Sequence, residues 1–330
     1  MEKSVYQQLA EKIMVPDSKY IPDLFAMMAD IDEAKLLLAL PGFVTPLSEQ
    51  FNMPADEMEK KLEELFYKGL VFKSKKPEGT KYRMDRDIVQ FHDATILWPH
   101  ATREYFDLWQ KYMEEEWPDY ARMIESVLPR PFTRVIPVEK SLTPQAEILR
   151  YESCKEVIDN SRSLCVTNCT CRLIAHKCDN PLEVCLQVDK AADYNLERGT
   201  GRSITKDEAL DIIKKSEEAG LMHVTMNRSS DMHFICNCCG CCCIAMPMMI
   251  KYGVKMNDPS RYLAHIDADE CQACGLCIER CWFNAIEMDE EKDAAVVDPE
   301  KCIGCGICQV TCPAEAIVLS EARGKEFIPD

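Results

Sequence analysis

The chain has 330 residues, 47% of them hydrophobic and 29% charged, with a formal net charge of −17 and 20 cysteines. A chain of this length has room for two or three domains with ordinary cores, so its cysteines are not the replacement for a core that small secreted scaffolds need. The opening MEKSVYQQLAEKIMVPD has no apolar export region, and stretches such as IAMPMMI at 244–250 fall far short of the ~20 residues of a membrane span. The expectation is a cytoplasmic protein without a membrane span, in which clustered cysteines are metal ligands rather than disulfides.

Residues 31–86 predict an apolar helix (IDEAKLLLALPG), a short helix (TPLSEQF) and a longer one from Pro54, in which Met58, Leu62, Leu65 and Phe66 recur at helical spacing before Gly69. LVFKSKKPEGTKYRM then reads as two strands around a Lys-Pro-Glu-Gly turn. This order resembles a winged helix. The strand pair carries six basic against two acidic residues over 71–86, whereas the third helix, 54–69, carries five acidic against three basic. An acidic helix is repelled by the groove it would have to read, so nucleic acid is disfavoured as a partner.

From 87 to 150 the chain is rich in aromatics, and Tyr105, Leu108, Trp109, Tyr112 and Met113 fall on one helical face, read as a core or subunit-contact helix. Two cysteine groups follow: Cys169, Cys171, Cys178 and Cys185, then Cys236, Cys238, Cys239, Cys241, Cys242 and Cys243 in CNCCGCCC. Between them Thr205 and Glu208 form a capping box, and Gly220 marks the helix end. Neighbouring cysteines project in divergent directions, so the second run cannot serve one cubane. The ten thiols are expected to share one or two further iron–sulfur clusters between the segments, with zinc or a store of free thiols as competing readings. Arg172 is placed to offset cluster charge. His176, His223 and His233 read as surface or core histidines. GTGRSI at 199–204 lacks the third glycine of a dinucleotide fingerprint. The CTCR and CNCC blocks ahead of the final module resemble uncharacterised iron–sulfur proteins of strict anaerobes.

CQACGLCIERCWFNAI at 271–286 repeats as CIGCGICQVTCPAEAI at 302–317, each with C-x2-C-x2-C-x3-C spacing. This pattern closely resembles bacterial two-cluster ferredoxins. The resemblance implies two 4Fe-4S clusters with crossed ligation, one on Cys271, Cys274, Cys277 and Cys312, the other on Cys302, Cys305, Cys308 and Cys281. Trp282 stands where the family pattern has a second proline.

The expected fold is therefore α+β and multidomain: a winged-helix-like domain (1–86), a helical aromatic-rich connector (87–150), a helical cysteine-rich domain (151–262) and a ferredoxin-like dicluster domain with its tail (263–330). From 265 to 320 twelve acidic residues face three basic ones, a surface suited to a basic protein partner. The expected function is single-electron transfer to or from a redox partner in anaerobic metabolism, a flavoprotein or low-potential reductase, with self-association as a further expectation and no catalytic residue of the chain's own. The alternatives are a redox-sensing winged-helix regulator and a reductase acting at an unusual iron–sulfur site.

Overall fold

The computed structural model describes residues 3–138, 149 and 151–330, so the boundary expected after residue 150 lies outside the described residues. The chain forms two compact units. One comprises Met1–Pro118, Leu173–Ala175 and Glu197–Thr200; the other comprises Asp119–Arg172, His176–Leu196 and Gly201–Asp330.

The first unit begins with helices α1 (Val5–Lys12), α2 (Ile21–Met28) and α3 (Ile31–Ala39). Capping boxes at Ser4 and Asp30 start α1 and α3, because each side chain accepts from a backbone amide that the helix leaves unpaired. Then come β1 (Gly42–Phe43), α4 (Val44–Phe51), α5 (Ala55–Tyr67), β2 (Val71–Lys76) and β3 (Gly79–Met84). The strands form an antiparallel sheet in the order β1-β3-β2, with Gly42 opposite Tyr82 and Val71 opposite Met84. Helix α5 buries Met58, Leu62, Leu65 and Phe66, the face its spacing predicts. The chain leaves it at Gly69, whose φ is +86° and where a Cβ would lie 2.4 Å from the Ala94 carbonyl oxygen. Helices α6 (Ile88–Thr95) and α7 (Arg103–Glu115) complete the unit, with Phe91 stacked on Phe25 at 4.3 Å and tilted against Trp109 at 5.3 Å. Of the basic residues on the strand pair, Lys73 is held by Glu63 at 2.6 Å and Glu197 at 2.7 Å, and Arg83 stacks on Phe72.

The second unit corrects the expectation of a helical cysteine-rich domain. After α8 (Trp117–Val127) it is organised on a seven-stranded sheet in the order β10-β4-β8-β9-β6-β5-β7. The strands are β4 (Thr133–Ile136), β5 (Leu164–Asn168), β6 (Glu183–Val188), β7 (Arg202–Ser203), β8 (Met222–Met226), β9 (Phe234–Cys238) and β10 (Asn257–Asp258). Short runs such as LCVTN, EVCLQV and MHVTM are β-branched and too brief for stable helices, and their apolar side chains are buried in the sheet. Strand β4 likewise falls inside the stretch read as a helical connector. The helices here are α9 (Cys154–Asn160), α10 (Thr170–Ala175), α11 (Lys190–Arg198), α12 (Lys206–Glu218) and α13 (Met246–Tyr252). Thr205 Oγ1 accepts from the Glu208 amide at 3.1 Å to start α12, and Gly220 follows its end at φ +78°.

Beyond the sheet, β11 (Tyr262–Ile266) pairs antiparallel with β14 (Ile317–Glu321), and β12 (Ile286–Asp289) with β13 (Ala294–Val297), around short helices α14 (Leu276–Arg280) and α15 (Ile307–Val310). Arg261, fully buried, joins this region to Glu152 through Nε at 2.6 Å and Nη2 at 3.0 Å. Among the described residues, no helix is long and apolar enough to cross a membrane.

Candidate metal centres

The C-terminal repeat folds twice along the same path. Ala273, Gly275 and Asn284 have positive φ, and 31 residues later Gly304, Gly306 and Glu315 do the same. A Cβ at Gly304 would lie 2.1 Å from the Tyr262 carbonyl oxygen, so the loop carrying Cys302 and Cys305 packs against β11 too closely for any side chain.

Two cavities lie within these turns. One is lined by Cys271, Cys274, Cys277 and Cys312 with Ile266, Ala295 and Ile317. The other is lined by Cys281, Cys302, Cys305 and Cys308 with Trp282, Phe283 and Ile307. Each draws three cysteines from one half of the repeat and one from the other. Neither lining contains a carboxylate or an imidazole. A sulfur-only donor set around an apolar void fits an iron–sulfur cluster. Burial and the neighbouring thiols push Cys305 up to about 12 and Cys308 further up, so these thiols must give up protons when they take metal. The Ala285 amide donates to Cys281 Sγ at 3.4 Å, the kind of contact that stabilises sulfur carrying charge.

The central cysteines are gathered by the sheet. Strand β9 carries Cys236 and Cys238 beside Cys185 on β6, and Cys169 caps the start of α10, whose first turn holds Cys171. The loop that follows β9 then divides CNCCGCCC. Cys239, Cys241 and Cys242 meet Cys178, and all four sulfurs lie within 4.8 Å of one another. Cys236, Cys238 and Cys243 turn the other way, into a row of electrostatically coupled thiols that runs through Cys169, Cys171, Cys243, Cys238, Cys236 and Cys185. Within that row Cys169 and Cys243 are held down by the neighbouring thiols, and Cys171 and Cys236 are pushed up by the neighbouring thiols and by burial.

The buried Arg172 guanidinium serves both groups. It donates to the Pro181 and Asn237 carbonyl oxygens at 2.8 and 2.6 Å and stands in electrostatic contact with Cys169, Cys239 and Cys238. The histidines are engaged otherwise. His223 is buried between Asn237 at 2.6 Å and Glu217 at 3.3 Å, His233 faces Asp231 at 3.4 Å, and His176 is exposed at the end of α10. Gly201 packs on β5, where a Cβ would lie 2.5 Å from Cys165 Sγ, so the second glycine of GTGRSI serves strand packing.

Trp282 links the cysteine regions. It lines the second cavity, donates from Nε1 to the Gly220 carbonyl oxygen at 3.0 Å, and lies on Gly240, where a Cβ would come within 2.3 Å of the ring. Cys243 and Cys305 border one apolar cluster with Val138, Met246 and Ile307. The sequence signal for this contact is the one glycine inside CCGCCC. Asn180, which donates to Cys178 Sγ at 3.3 Å, carries no such signal.

No curated protein matches the chain. A family model described as a 4Fe-4S dicluster domain matches residues 252–316. The chain therefore carries a C-terminal ferredoxin-like iron–sulfur module, within a mixed helix and strand protein.

Proposed function

We propose that the chain is an electron-transfer protein or subunit, and the observation that carries this reading is the pair of cavities, each lined by four cysteines drawn crosswise from a dicluster segment. Cys271, Cys274, Cys277 and Cys312 would hold one 4Fe-4S cluster, and Cys302, Cys305, Cys308 and Cys281 the other. Such clusters, when bound, supply one-electron storage at potentials set by charge, hydrogen bonding and solvent exposure. The chain's own residues set those variables. Ile266, Ala295 and Ile317 keep water from one site, and Trp282, Phe283 and Ile307 from the other. The six-thiol chain from Cys169 to Cys185 is the candidate ligand set for a third iron–sulfur centre. It borders the apolar cluster that also contacts Cys305. The acidic C-terminal surface would dock a basic face of a cytoplasmic redox partner, a flavoprotein or low-potential reductase.

The first unit has the helix, strand and turn order of a winged helix, which supports that likeness. Its charges favour protein docking over duplex reading, because α5 is acidic and Lys73 and Arg83 are already engaged. Duplex retention at low salt should be sequence-independent and fade steeply with added salt. Recovery of one operator-like sequence by the oxidised protein would instead make it a regulator.

The test is iron, labile-sulfide and EPR analysis of anaerobically purified protein. At least about eight iron and eight sulfide per chain are expected, four of each per cluster. Protein rich in zinc and free of labile sulfide would overturn the reading.

A further inference from the structure

The two cysteine regions of the second unit space their sulfurs differently. A cubane puts each thiolate on a different iron and spreads the sulfurs around a cage. The C-terminal cysteines do this, lining two separate cavities without closing to within 4.8 Å of one another. Cys178, Cys239, Cys241 and Cys242 do not. Their four sulfurs fall within 4.8 Å of one another, with Cys178 to Cys242 at 3.6 Å, Cys241 to Cys242 at 3.7 Å and Cys178 to Cys239 at 4.0 Å. A tetrahedron of thiolates about 2.3 Å from one ion has edges of about 3.8 Å. Among the described residues, this is the group of potential ligands that closes to such a size.

We propose that Cys178, Cys239, Cys241 and Cys242 form a closed tetrathiolate site for a single divalent ion of the zinc class, separate from every iron–sulfur cluster of the chain. Four thiolates and one divalent ion carry net charge −2. Arg172, beside Cys239, offsets part of it, and Asn180 donates to Cys178 at 3.3 Å. With four protein ligands no position is left for a substrate, which marks a structural site. Its task is to pin the 239–242 turn to the segment around Cys178, so that Cys243 and Cys238 take their places in the neighbouring row of six thiols. Cys178 and Cys241 are half-buried, which leaves the ion a way in from solvent, while Cys239 and Cys242 are buried. The site stands whether or not the electron-transfer reading holds, because it depends only on these four sulfurs.

The experiment compares the full chain, purified anaerobically, with Cys178→Ser, Cys241→Ser and, as a control, Cys165→Ser, whose thiol lies outside the group. Metal and labile sulfide are counted per chain. The expected result is one zinc in the native protein, lost in both site variants and kept in the control, with labile sulfide unchanged throughout. One iron in excess of labile sulfide, lost in the same way with zinc absent, is the same site filled by iron and supports the geometry. Loss of iron together with matching sulfide would overturn the proposal by making the group a cluster site, and unchanged metal in both variants would overturn it by removing the ion. If the site variants fail to fold, X-ray absorption at the zinc edge of the native protein decides. Four sulfurs at about 2.3 Å with no neighbouring metal support the site; a nearby metal scatterer, or absence of zinc together with iron matching sulfide, overturns it.

Discussion

The eight C-terminal cysteines stand back from one another around two cavities, whereas four of the central ones close on a single point and six more run in a coupled row. In the C-terminal region each loop is shaped by its own left-handed residues, and the shape recurs because the sequence does. In the central region no loop is complete alone: Cys178 meets Cys242, 64 positions further along the chain. The same thiol chemistry is thus organised by local turns in one region and by strand pairing in the other. The first can repeat as a module. The second depends on the sheet that presents it.

The comparison breaks most visibly if the C-terminal ligands prove to be sequence-local. Cys281→Ser is expected to remove or convert one cluster, with about half of the two-cluster iron lost, and to disturb the spectrum of the site lined by Cys302, Cys305 and Cys308. EPR of the reduced variant checks this. A change confined to the Cys271, Cys274 and Cys277 site would show two separate centres.

The next effect concerns how far the module depends on its neighbour. Glu152→Ala takes from the buried Arg261 its two contacts with the Glu152 carboxylate, while Glu321, the Arg323 carbonyl oxygen and Tyr262 stay among its partners. Removing one partner of a buried pair should cost about 3–5 kcal/mol, read as a lower denaturation midpoint for the second unit. A change below about 1 kcal/mol, the range of exposed pairs, would mean that the module holds its place without this tether.

A smaller effect tests the seam between the two regions. Gly240→Ala drives a methyl into the Trp282 ring and should cost about 1–3 kcal/mol, the usual penalty of overpacking. In a Trp282→Ala background the same change should cost far less, and the double-mutant cycle measures the coupling. Trp282→Ala alone should raise the potential of the neighbouring cluster, since water favours the more negatively charged reduced state. Potentiometric titration followed by EPR reads that shift.

The smallest effect sharpens the internal repeat. Ala273 holds φ +52° where the second half has Gly304. Ala273→Gly should stabilise by up to about 1 kcal/mol, because relief of left-handed strain outweighs the added entropy of the unfolded chain. Thermal melts of the anaerobic protein decide the sign, and destabilisation would mean that the Ala273 methyl packs usefully.

The dicluster module was legible in the sequence because its three-cysteine loops, turns and short helices all lie within about a dozen residues, where spacing translates directly into geometry. Helix α5 of the first unit was legible for the same reason: its buried stripe of Met58, Leu62, Leu65 and Phe66 and the Gly69 that ends it act over a few turns. The central sheet was hidden because its strands are two to six residues long, too short for their apolar runs to tell strand from buried helix. The division of CNCCGCCC was decided by tertiary structure alone. Adjacent cysteines have no common direction until β9 pairs with β6 and β8, Trp282 settles on Gly240, and the turn between them is forced to send Cys239, Cys241 and Cys242 one way and Cys243 the other. Strand register and side-chain packing are long-range facts, and the ligand sets they create exist only in the folded chain.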